Sequence, residues 1–395
     1  MKILLVQNFY SISISGGTTI LCRDLIQSLE KRNHEVLVLC AGPEKKRNKN
    51  VAALLRHINP VDDPKELRAI KKRIEWLCVS RRNYFITQRT INLFGPDVVY
   101  MHNLEWITNS PLLAAFGTGK RVVLHAHNHL YEELWSAKKH KGKQLSNLFF
   151  KTGIPRRNVE IIAISKSIEK GLIQNGSLDK ARIHVIYNGI PKAAFSNGDF
   201  SMARPLRALY ASAISPHKGA HIAIEAVALA NKSGFAIELE VAGFPGAPEY
   251  VARCKKMAAD FNAEVFIKFS GPLSREKVWE TLAESKFLLF PSLWEEPFGL
   301  IAAEAMARGA VVIGSNRGAI PEVIGNCGKC VEPSAEAFAA AMIEVIKMGK
   351  SETMQLRSNA YKRAETMFAM EKNILAIEAV LDGRPYSKIS DWRVQ

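Results

Sequence analysis

Short apolar runs alternate with helix-like segments twice along this chain, and a polar stretch separates the two sets. The first set has runs at Lys2 to Val6, Glu35 to Cys40, Asp97 to Met101, Arg121 to Ala126 and Ile161 to Ile164, with a helix expected from about Thr18 to Lys31. The second begins near Leu206 with RALYASAI, followed by HKGAHIAIEAVALA as a helix and IELEVAG as a strand. It continues with a helix near Glu249 to Asp260, a strand over Glu264 to Phe269, a helix over Ser274 to Glu284 and a strand over Phe287 to Phe290. Runs this short and this apolar suit strands buried on both faces, and parallel neighbours need a crossover between them, so the pattern implies a parallel sheet in each set. The stretch PKAAFSNGDFSMARP has linker composition and puts a hinge near residues 192–204. The expected domains are 1–198 and 199–365, with a C-terminal helix and tail over 366–395. A chain of 395 residues has room for two full cores.

The net charge of +16 is unevenly placed. Residues 1–200 hold 31 Lys and Arg against 16 Asp and Glu, whereas residues 201–395 hold 23 against 22. One half is strongly basic and the other neutral, which implies an anionic partner for the first half. Two basic stretches stand out, Pro64 to Phe94 and Ser136 to Asn158. In the first, Leu67, Ile70, Ile74 and Leu77 form an apolar stripe while Arg68, Lys71, Lys72, Arg73, Arg81 and Arg82 crowd the remaining surface. Such a helix either packs its stripe on the sheet or lies on an anionic membrane. Aromatics do not interleave with the basic runs and no nucleic-acid motif is present, so a nucleic-acid partner is not expected. No apolar run approaches the roughly 20 residues of a membrane span, and MKILLVQNFY reads as a first strand rather than a signal peptide. The expected location is the cytoplasm, with peripheral contact at the inner face of the membrane. Of six cysteines, Cys327 and Cys330 form a lone C-x-x-C without a second pair at zinc spacing, and it reads as a loop feature.

The densest chemistry lies in PSLWEEPFGLIAAEAMARGAVVIGSNRGAIPEVIG, Pro291 to Gly325. FLLF ends at Pro291, Pro297-Phe298-Gly299 makes a turn, and a helix is expected from about Leu300 to a stop at Gly309. That helix opens at Gly299 with free backbone N–H groups at the carboxyl edge of a parallel sheet, a geometry that suits a phosphate. Glu296 precedes the helix and Glu304 lies about one turn inside it. Carboxylates beside a phosphate repel it, so these two better accept hydrogen bonds from neutral hydroxyls on either side.

This stretch resembles the retaining glycosyltransferases of family 4, which have the α/β GT-B fold of two Rossmann-like domains facing each other across a cleft. The resemblance covers nearly the whole chain, strongly over 205–330 and loosely over the first half. It implies that Glu296 holds hydroxyls of a donor sugar, that Glu304 holds the ribose, and that the backbone of Phe298, Gly299 and Leu300 meets the sugar and diphosphate. Gly16-Gly17 matches a family glycine loop that approaches the transferred sugar or diphosphate. In LHAHNHLY, three histidines end a strand, a spacing that also suggests a metal; the family's histidine here faces the donor sugar, which favours His127 for that role and no metal. In SAISPHKG the family has Gly-Arg and then Lys-Gly, with Arg and Lys both on the diphosphate. Lys218 is present, but Ser212 and Ala213 stand where Gly-Arg is usual. Gly243 and the backbone near Pro272 and Leu273 match the edge that reads the nucleobase.

The resemblance implies a hexosyltransferase that uses a nucleotide diphosphate sugar as donor, needs no cofactor or metal, and retains anomeric configuration. The expected acceptor is anionic or lipid-linked and bound by the basic N-terminal domain, in surface polysaccharide, lipopolysaccharide or glycolipid assembly. In the family the last helix crosses back onto the N-terminal domain. The Ala213 departure keeps open a non-catalytic partner subunit, and sugar-nucleotide epimerases share the fold.

Overall fold

A computed structural model describes residues 1–9, 17–41, 51–55, 80–102, 104, 107, 109–128, 159–176, 179–200 and 203–385. Gly16, residues 64–79 of the basic stretch 64–94 and all of 136–158 lie outside the described residues. The chain divides into two units. Unit 1 is Met1–Tyr187 with the residues from Glu371 into the C-terminal segment, and unit 2 runs from Asn188 to Met370.

Unit 1 holds β1 (Lys2–Phe9), β2 (Glu35–Ala41), β3 (Val51–Leu55), β4 (Val98–Met101), β5 (Arg121–Ala126), β6 (Val159–Ala163) and β7 (Ile183–Val185). Among the described residues these form one sheet in the order β3-β2-β1-β4-β5-β6-β7, and every pair is parallel. Helices α1 (Gly17–Lys31), α2 (Arg81–Phe94), α3 (Ser110–Gly117) and α4 (Lys166–Gly176) lie between strands. Ile3, Leu4, Leu5 and Val6 are all buried, as a strand covered on both faces requires. Helix α2 starts where the Ser80 hydroxyl accepts from the Asn83 N–H, and it stops at Gly95 in the left-handed conformation.

Unit 2 holds β8 (Arg207–Ala211), β9 (Glu238–Ala242), β10 (Ile267–Gly271), β11 (Phe287–Phe290), β12 (Val311–Ser315) and β13 (Lys329–Val331). Their order is β10-β9-β8-β11-β12-β13, again all parallel. The helices are α5 (Ala220–Lys232), α6 (Pro248–Asp260), α7 (Arg275–Glu284), α8 (Leu300–Ala307), α9 (Ile320–Ile324), α10 (Ala335–Lys347) and α11 (Lys350–Met367). Helices α5 and α10 cover the sheet through buried Ala223, Ile224, Val227, Phe338, Ala341 and Met342. Each sheet thus reverses its strand order once, between β1 and β4 in unit 1 and between β8 and β11 in unit 2. Crevices outside the carboxyl ends of strands at such reversals are where doubly wound folds bind ligands.

Three sequence expectations differ in detail. The strand expected from Glu264 opens as a 3-10 turn over Glu264–Phe266, and β10 begins at Ile267. Asn262 takes a left-handed conformation after α6, and the turn carries the chain from that helix into the sheet. Helix α8 ends at Ala307, two residues before left-handed Gly309. The unit boundary lies at Tyr187/Asn188, ahead of the hinge expected at 192–204, because that stretch packs on unit 2. Phe200 in it is buried, the Arg357 guanidinium stands 5.1 Å over its ring, and Arg357 donates to the Phe200 carbonyl.

The last described helix, α12 (Met370–Asp382), belongs to unit 1 from Glu371 onward. Glu378 is buried there and accepts from Arg32 at 2.5 Å and bonds the His34 ring at 2.7 Å. Asn373 donates to the Tyr187 carbonyl, and Arg121 donates to the carbonyl of Val380.

Candidate active site

Two glycines let the loops after β8, β11 and β12 meet. Gly219 sits at φ +74°, and a Cβ there would stand 2.0 Å from the Pro291 carbonyl oxygen. Only a residue without a side chain permits that approach. It brings the His217 carbonyl to the N–H groups of Leu293 and Trp294, at 2.9 and 3.2 Å. On the other side, a Cβ on Gly318 would fall 2.3 Å from the Glu296 carbonyl oxygen, and the Ala319 N–H donates to that oxygen. Gly318 itself donates to the Glu295 carboxylate at 2.6 Å.

Held this way, Lys218 points its ammonium at Glu296, with Nζ 2.5 Å from Oε1. Ser292 Oγ donates to the same oxygen at 2.7 Å. The pair is largely withdrawn from water, at 22% exposure for the lysine side chain and 8% for the carboxylate. The neighbouring His217 is held below the ordinary imidazole range by partial burial and then by the Lys218 charge, with Glu296 opposing.

Glu304 is buried on α8 and pairs with a residue the sequence reading did not single out. Arg275 Nε donates to Glu304 Oε1 at 3.0 Å, with both side chains mostly buried. Arg275 is the first residue of α7, just after the Ser274 N-cap and the exposed Pro272. Its guanidinium also stands 4.9 Å over the Trp279 ring. Two carboxylates eight positions apart are therefore each matched to a cation from another strand-end loop. Ser292, Gly318 and Arg275 carry no sequence signal of their own here, because their roles exist only once the loops are brought together.

Helix α8 starts at Gly299, at φ +93°, with no side chain capping it. A Cβ on Gly299 would stand 2.8 Å from the Phe290 ring. Phe298 is buried against Phe368. The Ala302 N–H donates to the Gly299 carbonyl, which leaves the N–H groups of Leu300 and Ile301 ahead of it to meet an anion. The rim on the far side is built from the ends of three adjacent strands. The Ser212 N–H donates to the Ala242 carbonyl, and Gly243 donates to the Gly271 carbonyl. Gly243 is required where it stands, since a Cβ would meet the Ser212 carbonyl at 1.8 Å. Pro272 and Leu273 follow Gly271 directly. Unit 2 so brings together Ser212, Lys218, Gly243, Glu296, Phe298, Gly299, Leu300 and Glu304 around the carboxyl ends of β8 to β11.

In unit 1, Gly17 opens α1 after β1. His127 follows β5 and is buried, with Nε2 2.8 Å from Nδ1 of His102, which follows β4. Burial holds His127 at about 3, so its imidazole is neutral at pH 7.

Each unit matches a family model. The model described as Glycosyl transferases group 1 matches residues 201–363, and the one described as Glycosyltransferase Family 4 matches residues 15–193. The chain belongs to the group 1 glycosyltransferases and has their GT-B fold of two Rossmann-like domains. Among curated relatives, the alpha-maltose-1-phosphate synthase of Mycolicibacterium smegmatis is 26% identical over 88% of this chain and 89% of its own length. The MMP alpha-(1->4)-mannosyltransferase of Mycolicibacterium hassiacum is 27% identical over 55% of this chain, which spans about half (52%) of that protein. Among solved structures, Anabaena HepE, crystallised with UDP and glucose, superposes with a TM-score of 0.73 at 21% identity, covering 97% of this chain and all of that one.

Proposed function

We propose that this chain transfers a hexose, with retention of anomeric configuration, from a nucleotide diphosphate sugar to an acceptor hydroxyl. The observation that carries the reading is the joined set Lys218, Glu296, Gly299 and Glu304 at the strand-order reversal of unit 2. In this reading the diphosphate sits against the N-terminus of α8 and the Lys218 ammonium, which together stabilise the charge that develops on the leaving phosphate. Glu296 accepts hydrogen bonds from donor-sugar hydroxyls and Glu304 from the ribose. The base lies along Gly243, Pro272 and Leu273. His127, Gly16 and Gly17 of unit 1 meet the transferred sugar.

The carboxylates are poised for that exchange. Lys218 neutralises Glu296 in the free protein, so the anionic donor does not meet a bare carboxylate. When the diphosphate draws the ammonium away, Glu296 keeps Ser292 and gains the sugar hydroxyl. Arg275 does the same beside Glu304 and supplies the second cation that Ala213 cannot. Retention without an evident protein nucleophile fits attack on the face the diphosphate leaves, with a phosphate oxygen taking the acceptor proton. These fixed cations and the helix end replace a metal in that step.

The acceptor is anionic or lipid-linked, as the excess of Lys and Arg in residues 1–200 favours. Such a chain works in the cytoplasm at the inner face of the membrane, in surface polysaccharide, lipopolysaccharide or glycolipid assembly. No described helix is long and apolar enough to cross a membrane. The test is a donor panel assayed for product with the wild-type chain and Glu296→Ala. Transfer that disappears in a folded Glu296→Ala supports the assignment, and transfer that survives removes it.

A further inference from the structure

The strand-order reversal of unit 1 gathers two histidines that the transfer reading does not use, His102 and His125, beside one that it does, His127. His102 follows β4, His125 lies in β5 and His127 follows β5. Met101 is paired with Leu124 across the two strands, so the next residue on each, His102 and His125, fall side by side. His127 shares the face of His125 because alternate residues of a strand do. All three are buried.

We propose that His102, His125 and His127 bind a divalent transition ion of the zinc class, at a site built from unit 1 alone. One nitrogen from each ring can be chosen so that all three lie within 4.8 Å of one another. His102 Nδ1 and His127 Nε2 are 2.8 Å apart, and the ring centroids are separated by 4.9, 4.9 and 4.1 Å. A tetrahedral ion with Zn–N near 2.0–2.1 Å sets its nitrogens about 3.3 Å apart, so ring rotation rather than backbone movement completes the site. Among the described residues, His125 Nε2 has no hydrogen-bond partner. The opposite nitrogen, Nδ1, is 2.6 Å from the Tyr100 hydroxyl, the kind of outer partner that fixes a ligating imidazole. The Cys22 sulfur lies 3.3 Å from His102 Nδ1.

The nitrogen a metal takes is the unprotonated one of a neutral imidazole. Nitrogen donors without a carboxylate in the set select zinc, copper, nickel or cobalt over magnesium or calcium. If the proposed function holds, an ion here takes His127 away from the donor sugar and so inhibits transfer.

The test uses the full chain without an affinity tag, stripped by chelator and dialysed against Co2+ and then Zn2+, with no donor or acceptor present. The expected result is one Co2+ per chain with tetrahedral visible absorption, displaced by Zn2+. His125→Gln and His127→Gln are each expected to weaken Co2+ binding by at least about tenfold, while His184→Gln, whose ring pairs with Glu160 elsewhere, leaves it unchanged. Circular dichroism confirms that the variants fold. X-ray absorption on the zinc-loaded wild type needs no variant and is expected to count three imidazoles. No uptake by the wild type, uptake that persists in both folded variants, or fewer than two imidazoles around zinc overturns the site. Because nothing in the test depends on sugar transfer, its failure is distinct from failure of the transferase reading.

Discussion

Replacing Lys218 separates two things that one residue does. In the free protein its ammonium balances the buried Glu296 carboxylate at 2.5 Å. Removing one partner of a buried pair costs about 3–5 kcal/mol when the other is left uncompensated. Here Lys218 is 22% exposed and Ser292 still bonds the carboxylate, so Lys218→Met should cost less, about 2–3 kcal/mol. Glu296→Gln added to it removes the stranded charge and should return stability to within about 1 kcal/mol of wild type. Activity should not return. Loss of a charge-assisted phosphate contact is worth about 1.5–3 kcal/mol, which at 1.36 kcal/mol per decade is roughly 10- to 150-fold in kcat/KM. The assay is hydrogen exchange of the β8 and β11 amides, which reports unit 2 alone, beside steady-state transfer kinetics for all four proteins of the cycle. A Lys218→Met variant within about 0.5 kcal/mol of wild type, or a double variant no more stable than the sum of its parts, would refute the pairing and with it the idea that Glu296 is held neutralised until donor arrives.

Other expectations follow from the same geometry. Arg275→Gln should raise the KM for donor about tenfold with a smaller change in kcat, since it loosens Glu304 and removes a cation from the ribose and diphosphate side. Unchanged KM would leave Arg275 a packing residue on Trp279. Gly219→Ala should cost at least about 2 kcal/mol, from the left-handed backbone and from a Cβ 2.0 Å from the Pro291 carbonyl, and thermal melting reads it directly. For Glu378, burial opposes ionisation, but the bonds from Arg32 and His34 win and hold its pKa below the ordinary 4.5. A lowered carboxylate pKa adds stability above the unfolded value and loses it as pH falls through the folded one. Unit 1 should therefore lose stability as pH falls below 4.5, a loss absent from Glu378→Gln when melts are compared across pH 3 to 6.

The strand-turn-helix from Phe287 to Ala307 was legible because everything it needs is local. FLLF is fully buried, Gly299 supplies the positive φ, and the helix follows at once. Alternation of apolar runs likewise revealed both parallel sheets, since strand and crossover signals lie within a few residues of one another. Partners set by tertiary register were not legible. Arg275 looks like any first-turn arginine until α7 is laid beside α8, and Lys218 reaches Glu296 only through the close approach at Gly219. The histidines show the same limit. Spacing alone suggested His125, His127 and His129, but pairing of β4 with β5 adds His102, and His129 lies outside the described residues.

The most direct test of the account is calorimetric titration of the full chain with UDP, GDP, ADP, CMP and dTDP in turn, repeated with Lys218→Ala and Glu304→Ala. The account predicts that at least one nucleoside diphosphate binds one per chain and that Lys218→Ala weakens it by roughly 10- to 150-fold, the value of one charge-assisted phosphate contact. Binding of none of the four diphosphates, or binding that neither substitution alters, would contradict it.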